Sequence, residues 1–301
     1  MNKLPVSAII LTYNESINIK DCINSVVEFV NEIIIVDSFS ADNTLEIAKN
    51  YTPNIYQNKF VNQSKQFIWT LANTRITNDW ILRLDADERW TKEGFDELKK
   101  IIENDEADGI YVKMKIFFMG KWIKHGGYYP NYFLRIYKKS KGEMEDRWMD
   151  EHIKVNGRKI ISKIDVIESN YDRQKNISLW TDKHNKYSTR EAIEFLIQKH
   201  KLRKIDTVAK FWGNKTERKR WFKEKFYFHV PLFLRPLLYY FYRYIIRLGF
   251  LDGKEGFIYH YLHAFWYRFL VDVKVFQIER LAKRENKTIP EVVKEHYGVE
   301  L

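Results

Sequence analysis

Asp85, Asp87 and Glu88 are three acids in four residues, directly after the apolar strand-like run Leu82-Arg83-Leu84. Clustered carboxylates repel one another unless a cation or another positive partner sits among them. Magnesium and manganese favour oxygen ligands, take one or two carboxylates, and leave the rest of their shell to phosphates and water. An Asp-x-Asp at a strand end can supply those carboxylates; the bland alternative is a solvated acidic turn. Thr12-Tyr13-Asn14-Glu15 closes a first apolar run, and Asp37, near Ser38 and Asp42, closes a second. A carboxylate or amide at such a place can accept from a base N–H or a ribose hydroxyl, although capping is the commoner use of these residue types.

The elements that must carry these groups are legible as apolar runs. Residues 6–12 and 32–37 are short, β-branched and bounded by polar residues, which predicts buried strands. Residues 79–84 predict a further strand, and 54–56 a short one. Helical patterns lie between them at 17–30, 44–50 and 63–72. This alternation predicts an α/β fold with a parallel sheet, whose ligands bind where strands end. Beyond it come a helix at 93–103, strands at 109–118, 128–137 and 150–155, and a helix at 177–200. From about 207 to the end the pattern is helical and aromatic, broken by Pro231, Pro236 and the 249–256 loop.

Charge divides the chain more sharply than composition does. The 301 residues carry a formal +11. Residues 1–198 hold 29 basic and 29 acidic side chains, so the whole excess lies in 199–301, with 23 of the 48 aromatics. The single cysteine, Cys22, excludes a disulfide framework and a cysteine-rich zinc site. No secretory leader pattern is visible at 1–11, and no run reaches the 18 apolar residues of a spanning helix. The expected division is a catalytic domain at 1–205 and a helical, basic-aromatic region at 206–301.

Three segments together resemble the inverting glycosyltransferases of family 2, which have the GT-A fold: VSAIILTYNESINIKDCINSV, IIIVDSFSADNT and WILRLDADE. They occur in the family's order and spacing over roughly the first 100 residues. Residues 60–67 resemble its glutamine-containing helix, through Gln66. Trp148-Met149-Asp150-Glu151-His152 and 183–188 are similar to a subgroup that builds bacterial lipopolysaccharide core, capsule or O-antigen sugars.

The resemblance implies that Thr12, Tyr13, Asn14, Glu15, Asp37 and Gln66 line a nucleotide-sugar pocket. It implies that Asp85 faces the ribose or metal, and that Asp87 binds a Mg2+ or Mn2+ ion on the diphosphate. The implied reaction is a single displacement at the anomeric carbon with inversion, from a nucleotide sugar of the uridine diphosphate class to a saccharide acceptor. That reaction needs a base for the acceptor hydroxyl, on the face away from the leaving group. The acidic motif is committed to the diphosphate, so the base is sought later in the chain. Glu151 is the first choice and Asp150 the second; His152 ligates metal, orients a carboxylate or packs. Arg135, on the strand YFLRIY, touches phosphate or acceptor, or else forms an ion pair. His184 and Tyr187, on a helix with Trp180, pack or close over the donor.

The basic-aromatic region reads as a docking surface for an anionic membrane, where Trp and Tyr settle at the interface and each Lys or Arg adds about 1 kcal/mol. A lipid-linked acceptor at the cytoplasmic face of a bacterial inner membrane fits that reading. The alternative is packing on the catalytic domain or on a second copy of the chain. Two other classes compete. A nucleotidyltransferase would carry a glycine-rich loop where 12–16 has no glycine. A single-strand nucleic-acid binder would use the same basic aromatics, but no nucleic-acid module is recognisable.

Overall fold

The structure is a computed structural model that describes residues 3–145, 151–168, 176–202, 212 and 229–301. Asp150, Trp148, Met149 and the basic-aromatic stretch 213–228 lie outside the described residues. The chain forms two compact units.

The first unit is built on one sheet. Its strands are β1 (Leu4–Thr12), β2 (Val30–Asp37), β3 (Ile55–Gln57), β4 (Trp80–Asp85), β5 (Glu88–Trp90), β6 (Gly109–Phe118), β7 (Lys121–Trp122), β8 (Tyr132–Lys138) and β11 (Lys159–Glu168). They are ordered β3-β2-β1-β4-β8-β6-β11-β5, with β7 paired to β6. A separate pair joins β9 (Gly142–Met144) and β10 (Ile153–Val155).

The first four strands of that order are parallel. Helices Ile19–Asn24, Thr44–Lys49 and Gln63–Asn73 carry the chain between them. The parallel arrangement expected from the alternation over these strands is what they adopt, and the later strands add antiparallel neighbours: β8 runs antiparallel to β4 and β6, and β5 antiparallel to β11. No helix separates β4 from β5, or β6 from β7 and β8, and a parallel return needs such a crossover.

Both sheet faces are buried. One layer includes Ala8, Ile10, Leu82 and Val112, covered by Phe95 and Leu98 of helix Lys92–Glu103. The other includes Ile9, Ile34, Ile81 and Tyr111, with Phe67 of helix Gln63–Asn73. Burial on both sides explains why β1 and β2 read as continuous apolar runs rather than alternating ones.

The second unit is helical. Helix Ile177–Lys199 buries Ala192, Ile193 and Leu196 against Val271, Val275 and Ile278 of helix Tyr267–Glu285. Helix Ile289–Tyr297 adds Val292 and Val293 and starts on a capping box between Thr288 and Glu291. The helix before 205 packs its apolar stripe on the C-terminal helices, and the second compact unit takes in residues 176–301 together with 125–127. Inside this unit Arg235 is almost fully buried, and its Nε donates to Asp272 Oδ1 at 2.7 Å. A buried guanidinium needs such a partner.

Candidate active site

The ends of β1, β2 and β4 converge because these strands are adjacent and parallel, with Thr12 beside Asp37 and Leu11 beside Asp85. The loops after β1 and β2 are laced together. Asn14 adopts a positive φ of 52°, a conformation Asn tolerates better than most residues. Its N–H donates to Ser40 Oγ at 2.8 Å, and its Oδ1 accepts from Ala41 N at 2.8 Å. Glu15 N donates to Thr44 Oγ1 at 2.8 Å, while the Glu15 carboxylate accepts from Asn18 Nδ2 at 2.7 Å.

Asp37 is fully buried; it accepts from Ser40 N at 2.9 Å, from the Ser40 hydroxyl and from Gln57 Nε2 at 3.2 Å. Thr12 is buried, and its hydroxyl has no hydrogen-bond partner among the described residues. Tyr13 is exposed. Gln66 is buried and donates from Nε2 to Ser38 Oγ and to Asn58 O, both at 3.2 Å. Its immediate work is to tie the helix to the loop after β2.

The acidic motif is a turn between β4 and β5. Asp85 accepts from Gln63 Nε2 at 3.0 Å and from Arg135 at 3.1 Å. Glu88 is buried, accepts from Asp85 N at 3.1 Å and pairs with Arg135. Arg135 thus takes the ion-pair alternative: its guanidinium serves the two acids of the motif. Burial pushes the Glu88 carboxyl up to about 8, Arg135 opposing and the charges of Asp85 and Asp87 adding. Asp87 is half-buried.

Glu151 is nearly buried and accepts from Arg83 at 2.8 Å, and the same Arg83 nitrogen lies 4.0 Å from Asp85. One guanidinium therefore bonds to the candidate base and lies within ion-pair range of the acidic motif. His152 is held by Glu145, which accepts from its backbone N–H at 3.0 Å and lies 3.5 Å from its Nδ1. His184 and Tyr187 belong to the second unit, where His184 stacks on Trp180 with centroids 3.5 Å apart and meets Tyr187 edge-on. Within that unit both rings are in contact with their helix neighbours.

Sequence reasoning gave no role to Arg83 or Gln63, and gave Glu88 none beyond membership of the acidic cluster. The signal for Arg83 was present: a charge between Leu82 and Leu84 in an apolar strand is buried only if paired. Glu88 could be counted as acidic but not recognised as the buried member of its cluster.

Asp85, Asp87 and Glu88 offer carboxylate oxygens only, and Arg135 already pairs with Asp85 and Glu88. Hard cations select such oxygens.

Residues 7–162 match the family model described as glycosyl transferase family 2. A curated Rickettsia felis protein called an uncharacterized glycosyltransferase is 38% identical over 103 residues, covering 34% of this chain and 36% of its own length. The lipopolysaccharide core biosynthesis glycosyltransferase LpsC of Rhizobium meliloti is 29% identical over 151 residues, 48% of this chain and 54% of that one. The match thus spans about a third of the first relative and about half of the second. Among solved structures, S. aureus TarS 1–349 in complex with UDP-GlcNAc aligns over 94% of this chain and 93% of that one, at 16% identity and a TM-score of 0.45.

Proposed function

The chain belongs to glycosyl transferase family 2, and from that premise we propose that it moves a sugar, with inversion, from a uridine-diphosphate sugar to a saccharide acceptor in cell-surface polysaccharide assembly. The observation that carries the reading is the meeting of the Asp85–Glu88 turn and Glu151 on a single guanidinium, that of Arg83. Inverting transfer needs both a place for the leaving diphosphate and a base for the incoming hydroxyl.

In this reading Thr12, Tyr13, Asn14, Glu15 and Asp37 form the nucleotide end, with Gln66 bracing it. Asp87, with Asp85, would hold Mg2+ or Mn2+, which neutralises charge on the leaving diphosphate. Arg135 and Glu88 keep the Asp85 carboxylate aimed. Glu151 takes the proton of the acceptor hydroxyl as that oxygen bonds to the anomeric carbon, and Arg83 orients its carboxylate. Asp150 is the second candidate for that role.

The acceptor is lipid-linked in this reading, and the second unit docks on the anionic inner face of a bacterial membrane. The support is an outward stripe: Leu234, Leu237, Leu238, Phe241, Ile245 and Ile246 are all 44–60% exposed, at helical spacing. Among the described residues no helix is long and apolar enough to cross a membrane, so the stripe suits a surface-lying segment.

A thermal-shift screen of nucleotide sugars with and without Mn2+ tests the reading. A uridine-diphosphate sugar should protect the chain only with the metal, and Asp87→Asn should abolish that protection while the unliganded melting temperature stays. Protection that ignores both metal and mutation would remove the acidic turn from donor binding.

A further inference from the structure

A second cluster lies on the other half of the sheet from the nucleotide end. The Met119–Gly120 turn, with φ of 51° and 77°, folds β7 back on β6. Positive φ at both central residues matches the twist of a tight hairpin. The turn sets Trp122 opposite Phe117. The Trp122 ring meets Tyr129 edge-to-face, with centroids 4.9 Å apart at 80°. Three ammonium groups surround this pair: Lys113 lies 5.7 Å from the Tyr129 centroid, and Lys115 and Lys124 lie 5.1 and 5.6 Å from that of Trp122.

Asp165 is the carboxylate that meets them, 3.4 Å from Lys113 and 2.8 Å from Lys115, and it also accepts from the Tyr129 hydroxyl at 2.9 Å. Asp165 pairs with Lys113 and Lys115 but not with Lys124, so among the described residues these ion pairs leave the cluster positive. The Trp122 indole N–H is buried and has no acceptor among the described residues. A buried donor without an acceptor costs stability until something accepts from it.

Strand register fixes where this cluster sits. Trp80 of β4 lies beside Lys138 of β8, and Gly109 and Lys113 of β6 lie beside Tyr137 and Tyr132 of β8. Running up β4 towards Asp85 therefore parallels running up β6 from Gly109 past Lys113. Lys113 and Lys115 stand at the end of the sheet that carries the acidic turn. They also share a face with Tyr111, whose core layer holds Ile81, two residues before Arg83. The lysines and the Arg83–Glu151 pair thus lie on one face of one sheet, separated by strand β8.

We propose that Lys113, Lys115, Lys124 and the Trp122 N–H form a subsite for a phosphate group carried by the saccharide acceptor. The inference rests on the glycosyltransferase reading and adds the acceptor's chemical class. Three ammonium groups within 6 Å of one ring pair suit a many-oxygened anion, and Trp122 with Tyr129 offers an apolar floor for the sugar bearing it.

The test titrates the full chain, saturated with UDP and Mn2+, by ligand-observed NMR with glucose 6-phosphate, glucose and glucuronic acid. UDP fills the diphosphate position, so a second phosphate must find its own site. Glucose 6-phosphate should bind best. The double variant Lys115→Gln/Lys124→Gln should weaken it about tenfold, with UDP affinity unchanged. Trp122→Phe, which keeps a ring and removes the donor, should weaken it by a smaller factor. No binding of glucose 6-phosphate, equal binding of glucose, tighter binding of glucuronic acid, or full affinity in the double variant would each overturn the proposal. Failure of the wild-type chain to bind UDP would instead overturn the glycosyltransferase reading, and the glucose 6-phosphate titration would still decide the subsite.

Discussion

Arg83 is the residue through which the site can be interrogated. It is buried, lies over Phe67 with its guanidinium carbon 5.5 Å from the ring centroid, and donates to Glu151. Glu151→Gln should keep donor binding and lower kcat by about 10²–10⁴-fold, the usual worth of a general base; near-normal turnover would pass the role to Asp150. Arg83→Met should lower kcat while leaving donor binding in place, because the guanidinium that orients the Glu151 carboxylate is gone. Arg83→Lys should restore part of that loss. A variant that lost stability but kept its kcat would reduce Arg83 to a packing role. Asp85 and Asp87 were readable in the sequence because they sit together. The pairing of residue 83 with residue 151 was not readable, since it is made by tertiary folding across 68 positions.

At the scale of elements, the strands buried on both faces were the most legible. The expected strand 109–118 coincides with β6, and 6–12 and 32–37 fall within β1 and β2. The expected helix at 17–30 shrinks to Ile19–Asn24, with turns carrying the chain on to Val30. Strand β11 was overlooked, although its Ser162, Ile164 and Val166 alternate inward, because Lys159, Lys163 and Asp165 dilute the apolar run. The helices of the second unit carry their own prediction. Burial holds His184 and His260 down to about 4, and His263 well below its ordinary value. These rings stay neutral in the folded protein but take protons near pH 6.5 once unfolded. The stability these rings lend is thus complete above pH 6.5 and is lost as the pH drops towards 4, by up to roughly 3 kcal/mol for each ring shifted this far; the raised Glu88 carboxyl works the other way, favouring the fold as the pH falls from about 8. Between pH 7.5 and 5, His184→Gln should lose less of its urea midpoint than the unaltered chain does. The same pH response in both would mean that this ring is not buried as described.

At the scale of the whole chain, the charge asymmetry and the outward stripe point the same way. The full chain should float with phosphatidylglycerol vesicles and remain behind with phosphatidylcholine ones. Leu237→Glu/Phe241→Glu should abolish flotation while leaving the thermal melt in place, since both side chains are about half exposed. Flotation unaffected by the pair would move the docking surface elsewhere or leave the stripe to a second copy of the chain.

The two units are also threaded through one another in sequence. Residues 125–127 belong to the helical unit although the chain on either side belongs to the sheet unit. His125 gives Asp252 a backbone N–H at 2.8 Å and a ring nitrogen at 2.6 Å. Gly126 lies so close to His260 that a Cβ there would fall 1.9 Å from the ring. A fragment starting at 176 would leave the buried Asp252 without those partners, an expensive state for a carboxylate. The helical unit is therefore no detachable cassette: a swap, truncation or fusion that cuts the chain at 176 takes it without its own keystone.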